Sequence, residues 1–204
     1  MAERFGVNRH TVRQAVGYLA DEGLVHSRRG AGVFVLTKPI DYRLSKRVRF
    51  RQNLLAAGRL PERRVLSVEV CAASDEDART LKLELGEPVA IARAISFADG
   101  TPVALAESRF PEVRLPGLSV ALAEEGSVTD ALARVGVPDY RRASTRLAAA
   151  LASATQALHL RLREGAPLLL SDSLNCDANG VPVEHGRTWF ASERITLTLD
   201  HVQD

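Results

Sequence analysis

Apolar residues near the start of the chain recur at helical spacing. Val12, Ala15, Val16 and Leu19 form one stripe, and Asn8, a favoured N-cap residue, places the helix start at Arg9. Gly23 is its predicted end. Before it, Gly6 offers the positive φ of a tight interhelical turn and Val7 an apolar anchor. Residues 24–28 and 32–36 then read as two short strands flanking Arg29-Gly30-Ala31. The apolar run Val33-Phe34-Val35-Leu36 stops just short of Pro39, which cannot continue a ladder, so a boundary falls at residues 36–41.

Residues 42–64 are strongly basic, with a helix predicted around 47–57 that ends at Gly58. Beyond them, strands and helices alternate. Residues 65–72 read as a strand, and Ser74-Asp75-Glu76-Asp77 as a capping box for a helix that stops by Gly86. Residues 89–97 and 102–110 are strand-like and joined through the hairpin signal Asp99-Gly100. Ser127-Val128-Thr129-Asp130 resembles a helix start, closed at Gly136. Residues 141–150 fit a strand, although their alanines also permit helix. Ser153 opens a helix to Arg163, residues 168–176 and 181–190 pair across Asp177-Ala178-Asn179-Gly180, and 195–199 form a last strand. Hairpins with interspersed helices predict an α+β fold with a largely antiparallel sheet. No internal repeat is visible. The expected partition is 1–38, a basic segment at 39–64, and a larger domain at 65–204.

Charge sharpens this division. Residues 1–64 carry 14 Lys and Arg against 5 Asp and Glu, and residues 65–204 carry 13 against 20, within a net charge of +2. A basic front beside an acidic remainder is expected where one end meets a polyanion. No window is apolar enough to span a membrane, and the opening residues lack a signal-peptide core. The two cysteines, Cys71 and Cys176, have no ligand spacing. These features predict a cytoplasmic protein with reduced thiols, no metal, no cofactor and no membrane partner.

The predicted helix turns Arg9, His10, Arg13, Gln14 and Gly17 away from its apolar stripe. That face is basic, polar and short of bulk, which suits a major groove. Arg28, Arg29, Gly30 and Gly32 at the following ribbon suit phosphates or the minor groove. Candidate DNA-binding residues are therefore Asn8, Arg9, His10, Thr11, Arg13, Arg28, Arg29, Gly30 and Gly32, and the expected partner is double-stranded operator DNA.

Val7-Asn8-Arg9-His10-Thr11-Val12-Arg13-Gln14-Ala15 and the ribbon from Glu22-Gly23-Leu24-Val25 to Gly32-Val33-Phe34-Val35 resemble the DNA-binding domain of the GntR family of bacterial repressors. The resemblance implies a winged helix-turn-helix in which Arg9, Thr11 and Arg13 contact DNA from the recognition helix, and Gly30 and Gly32 from the wing tip. The family carries a first helix and most of a second before the position of Ala2. Their absence predicts a truncated domain, from a fragment or a misplaced start codon. Val12, Val16 and Leu19 would lose cover worth on the order of 1.5–3 kcal/mol each, so weak DNA binding is expected of this chain as it stands.

The remainder, from about Ser45, resembles the ligand-binding UTRA domain of the HutC branch of that family. The carrying residues are Leu85-Gly86-Glu87-Pro88, Arg93, Ala98-Asp99-Gly100-Thr101-Pro102, Gly126-Ser127-Val128 and Gly180-Val181-Pro182-Val183-Glu184. Within the branch, residues 42–50 with Arg109-Phe110-Pro111 look most like regulators of phosphonate metabolism. The implied fold is a chorismate-lyase-like antiparallel sheet used without catalysis, in a homodimer that binds a small anionic effector. The implied pocket is lined by the basic segment leading into the domain, a strand arginine and the Ser127 helix start.

Residue chemistry agrees in kind. A helix N-terminus at Ser127 and Thr129 favours an oxyanion, and Arg93 offers a fork of donors. Arg47, Arg49 and Phe50 stand on the leading segment, and Arg187 beside His185 on a late strand. These eight are the candidate effector-binding residues. Many relatives carry a second arginine three positions after Arg93, where this chain has Ser96. Four of the eight have a plainer reading: Ser127 as a cap, Arg93 as an ion-pair partner, Arg47 and Arg49 as linker or DNA contacts. Two alternatives stand beside the phosphonate or phosphate-ester sensor. One is a small lyase-like enzyme, although isolated Ser171, Asp172 and His185 show no catalytic pairing. The other is a regulator of the same fold that senses a sugar phosphate or a urocanate-type ligand.

Overall fold

In the computed structural model, which describes residues 6–22, 25–28, 32–35, 38–45, 49–125 and 127–199, the chain divides into two compact units, Met1–Lys38 and Pro39–Asp204. The first unit holds helix α1 (Arg9–Asp21) and the antiparallel pair β1 (Val25–Arg28) and β2 (Gly32–Val35), in register from Val25↔Val35 to Arg28↔Gly32. Asn8 caps α1 through its side-chain oxygen, which accepts from Thr11 N at 2.8 Å and Thr11 Oγ1 at 3.1 Å. Gly6, at φ 62°, makes the turn before it. Val12 and Val16 are half-buried, and no residue of α1 is fully buried.

The second unit is built on six antiparallel strands: β4 (Pro61–Ala72), β5 (Pro88–Ala98), β6 (Thr101–Pro111), β7 (Arg141–Leu151), β8 (Pro167–Cys176) and β9 (Pro182–Ala191). Their order across the sheet is β4-β5-β6-β9-β8-β7. The expected separate segment at 39–64 is instead part of this unit. Its β3 (Ile40–Arg43) pairs in parallel with the last strand, β10 (Ile195–Thr198), and α2 (Phe50–Ala56) seats Leu54 at 0% exposure. Residues 61–64 belong to β4. Their charges, Glu62, Arg63 and Arg64, mask a strand whose residues alternate between half-buried and exposed.

The order of strands contains a structural repeat that is not visible as a repeat in the sequence. Each half runs strand, short helix, hairpin: β4, α3 (Asp75–Leu81), β5 and β6, then β7, α6 (Ala154–Leu160), β8 and β9. Ser74 caps α3 and Ser153 caps α6, each in a capping box with the residue three positions on, Asp77 and Gln156. Both helices end on a left-handed residue, Lys82 at φ 54° and Arg161 at φ 53°. Gly86, Pro88, Val103 and Phe110 in the first half correspond to Gly165, Pro167, Val183 and Phe190 in the second. The loop hydrogen bonds repeat as well: Ala73 accepts from Gly86 and donates to Glu87, as Ala152 accepts from Gly165 and donates to Ala166. Few identities survive, and those that do are turn and cap residues.

Helices α3 and α6 cover the same sheet face, each over its own apolar cluster, Leu81 with Val89 and Ile91, and Leu160 with Leu168. On the other face, α4 (Leu118–Glu124) and α5 (Val128–Arg134) bury Leu118, Leu122 and Leu132 against Ala90, Ala92 and Phe110. At the far end of that face, Tyr42, Leu44, Leu54 and Ile195 pack on Ala104 and Phe190. A space remains between these two clusters.

Candidate functional site

Small residues keep this part of the sheet low. Ser96, Ala104, Ala106, Ser108 and Thr188 floor a cavity of about 400 Å³. A Cβ on neighbouring Gly186 would stand 3.3 Å from Ser173 Oγ and 3.4 Å from Glu184 Oε1, so its absence leaves those side chains room. The walls come from Tyr42 on β3, Arg49 and Phe50 at the start of α2, Ser127 and Thr129 at the start of α5, and Tyr140 ahead of β7.

Four arginines, Arg49, Arg51, Arg63 and Arg142, also line it, with three carboxylates, of which Glu62 and Asp130 are exposed and Glu184 is buried. Glu184 Oε1 accepts from Ser108 Oγ at 2.7 Å and Oε2 from Asn175 Nδ2 at 2.6 Å. Asn175 in turn accepts from Arg142 Nε at 2.7 Å. The Arg49 guanidinium lies 4.0 Å over the Tyr140 ring, and its Nη2 stands 3.4 Å from Asp139. Arg49 Nη1 and Arg63 Nη1 are closed off from solvent and have no acceptor. Burial lowers the pKa of Arg63, against the opposing pull of Glu184 and Tyr140, and burial raises that of Tyr42.

Of the sequence-derived effector residues, Arg49, Phe50, Ser127 and Thr129 are brought together at this cavity, while Arg47 lies outside the described residues. Ser127 is committed locally: its Oγ accepts from Asp130 N at 3.0 Å and donates to Asp130 Oδ2 at 2.5 Å. Thr129 Oγ1 is 3.1 Å from the Tyr140 hydroxyl.

Arg93, His185 and Arg187 stand on the opposite sheet face, which corrects the expected placement. Side chains alternate along a strand, so with Ser96, Glu184 and Thr188 at the cavity, residues an odd number of places away point behind the sheet. There Arg93 binds Glu69 at 2.6 Å and Glu107 at 2.7 Å. Arg109 joins Glu107 at 2.9 Å to buried Asp77 at 3.2 Å. Arg187 holds Asp172 at 2.9 Å and also pairs with Glu76, and His185 Nε2 is 3.2 Å from Asp172. Arg63, Tyr140, Arg142, Asn175 and Glu184 were not singled out as site residues from the sequence. The repeat carries the signal for two of them, since Arg63 and Arg142 occupy equivalent positions.

In the first unit, Asn8, Arg9, His10, Thr11 and Arg13 lie together on exposed turns of α1. Arg28 and Gly32 end β1 and open β2, while Arg29 and Gly30 lie outside the described residues. Among the described residues, no helix is long and apolar enough to cross a membrane, and no group of three or more His, Cys, Asp or Glu is placed to hold a metal.

The sequence model of the UTRA domain matches residues 56–196, and that of bacterial regulatory proteins of the gntR family matches residues 1–35. An HTH-type transcriptional regulator of Rhizobium meliloti is 38% identical over 201 residues, 98% of this chain and 82% of that protein. The chain belongs to the GntR family. Within this family, the transcriptional regulator named PhnF in Escherichia coli is 34% identical over 203 residues, 98% of this chain and 83% of its own. The crystal structure of PhnF from Mycobacterium smegmatis superposes with a TM-score of 0.77 at 27% identity, covering 100% of this chain and 89% of that one. A GntR-family protein with a UTRA domain is a transcription regulator, and these relatives are named as such and not as enzymes.

Proposed function

We propose that this GntR-family regulator is a homodimeric repressor that releases its operator when a small anionic metabolite, a phosphonate or phosphate ester, fills the cavity of its UTRA domain. The observation that carries this reading is that Arg49 and Arg63 line one cavity and each keeps an Nη1 closed off from solvent and without an acceptor. Burying cations without matching anions is costly, and an oxyanion ligand removes that cost. The cavity's size suits a small metabolite. The choice of phosphonate rests on the resemblance of residues 42–50 to regulators of phosphonate metabolism.

Arg9, Thr11 and Arg13 contact the operator from α1, with Gly30 and Gly32 at the wing, and two copies read two-fold-related half-sites. Tyr42, Arg49 and Phe50 line the cavity and lie on the stretch of chain that directly follows the first unit, so ligand occupancy acts on that stretch. Thermal unfolding of the full chain tests this against methylphosphonate, inorganic phosphate, a sugar phosphate and urocanate, at matched ionic strength. A rise in Tm with the phosphorus oxyanions, absent with urocanate, is expected, because a ligand that binds only the native state stabilises it. A response to urocanate alone would replace this reading with the imidazole-ligand alternative.

A further inference from the structure

The two halves of the sheet present the same residue to the cavity from opposite edges. Arg63 on β4 and Arg142 on β7 are equivalent in the repeat, and so are their cross-strand partners, Ser96 and Asn175. What each arginine meets is different. Asn175 accepts from Arg142 Nε at 2.7 Å, and Thr145 Oγ1 accepts from Arg142 Nη1 at 3.3 Å. Ser96 has no carboxamide to extend toward Arg63. The Arg63 side chain makes neither hydrogen bond nor ion pair among the described residues, and its Nη1 is shut away from water. Glu184 attracts Arg63 through space but forms no hydrogen bond or ion pair with it, its oxygens being turned to Ser108 and Asn175.

A guanidinium stays charged at neutral pH, so it cannot escape burial by losing its proton. An arginine that bears this cost with no protein partner gives the fold nothing that an apolar side chain would not. We propose that Arg63 is the residue that binds the effector's oxyanion, and that its counterpart Arg142 is wall, held in place by Asn175. This rests on the anionic-effector reading above and assigns it a residue. The ligand group is an oxyanion with at least two acceptor oxygens, because Arg49 also holds an Nη1 without an acceptor at the same cavity.

The test compares wild type with Arg63→Met by thermal unfolding of the full chain. The probes are inorganic phosphate and methylphosphonate, with sodium chloride at equal ionic strength as the reference. Wild type is expected to gain Tm with either probe. Arg63→Met is expected to melt at or above wild type without probe, and to bind both probes at least tenfold more weakly. Those two changes have opposite signs, which a structural arginine cannot produce. A variant that fails to fold, or melts below wild type without probe, gives Arg63 a structural role and overturns the assignment. A variant that keeps the wild-type response places the anion elsewhere and overturns it too, while leaving the anionic-effector reading standing. If wild type itself ignores both probes, that reading falls and the assignment with it.

Discussion

Asp77 shows how much one side chain does on the face behind the cavity. It is 1% exposed, accepts from Ser74 Oγ at 2.6 Å and Ser74 N at 3.1 Å in the α3 capping box, and receives Arg109 at 3.2 Å. Asp77→Ala removes all of these at once and leaves Arg109 with Glu107 alone. A loss of about 2–3 kcal/mol is expected, read by urea denaturation. A loss under about 0.5 kcal/mol, the size of an ordinary surface change, would show that the buried pair does not hold α3 to the sheet. The capping box itself was legible in Ser74-Asp75-Glu76-Asp77, because a cap is a local pattern of four residues. The Arg109 contact was not, since it joins positions far apart in the chain. Arg93 teaches the complementary lesson. Its fork of donors is taken up by Glu69 and Glu107, and chemistry alone does not say which side of a strand a residue takes. Ser96, three places on, faces the cavity, so Arg93 faces the ion pairs.

At the scale of elements, the back-face ladder makes acid stability a collective property of the sheet and α3. Burial pushes the Asp77, Glu107 and Asp172 carboxyls up, but in each case the partners outweigh it and hold the group below the usual carboxylate range. For Asp77 these are Ser74 and Arg109, for Glu107 they are Arg109 and Arg93, and for Asp172 they are Arg187 and His185. A depressed folded pKa means that the unfolded chain takes up protons first, so stability from these groups is complete above the unfolded value and is lost as pH falls through the folded one. Tm measured by calorimetry is expected to hold from neutral pH to about pH 5 and to drop below about pH 4. A Tm unchanged down to about pH 2 would contradict the ladder's role. The hairpins and α1 were readable from turn and cap residues. The start of β4 was not, because charge at Glu62, Arg63 and Arg64 looks like a solvated linker, while in fact Arg63 lines the cavity. The structural repeat was not legible for a related reason: packing constrains residue size and turn geometry and leaves few identities between the halves.

For the whole molecule, the proposed function assigns DNA reading to the first unit and ligand binding to the second, and that separation is testable by mutation. In a protein with a complete winged helix-turn-helix, Arg13→Ala, on the exposed face of α1, is expected to lower affinity for an operator at least tenfold while the Tm gain with methylphosphonate stays at its wild-type size. Arg63→Met is expected to do the reverse. Loss of both responses in one variant would mean that the two units do not act separately. Linkage adds a constraint: whatever factor the ligand applies to operator affinity, the operator applies to ligand affinity.

The most direct measurement is therefore fluorescence anisotropy of a protein that carries this chain behind a complete winged helix-turn-helix, on the genomic DNA fragment it prefers, titrated with and without methylphosphonate at a concentration that just saturates the wild type, at fixed ionic strength. Operator affinity is expected to fall at least fivefold with the ligand present, and to be unaffected by the ligand in Arg63→Met. Equal affinity with and without a ligand that measurably raises Tm would contradict control of DNA binding by the cavity.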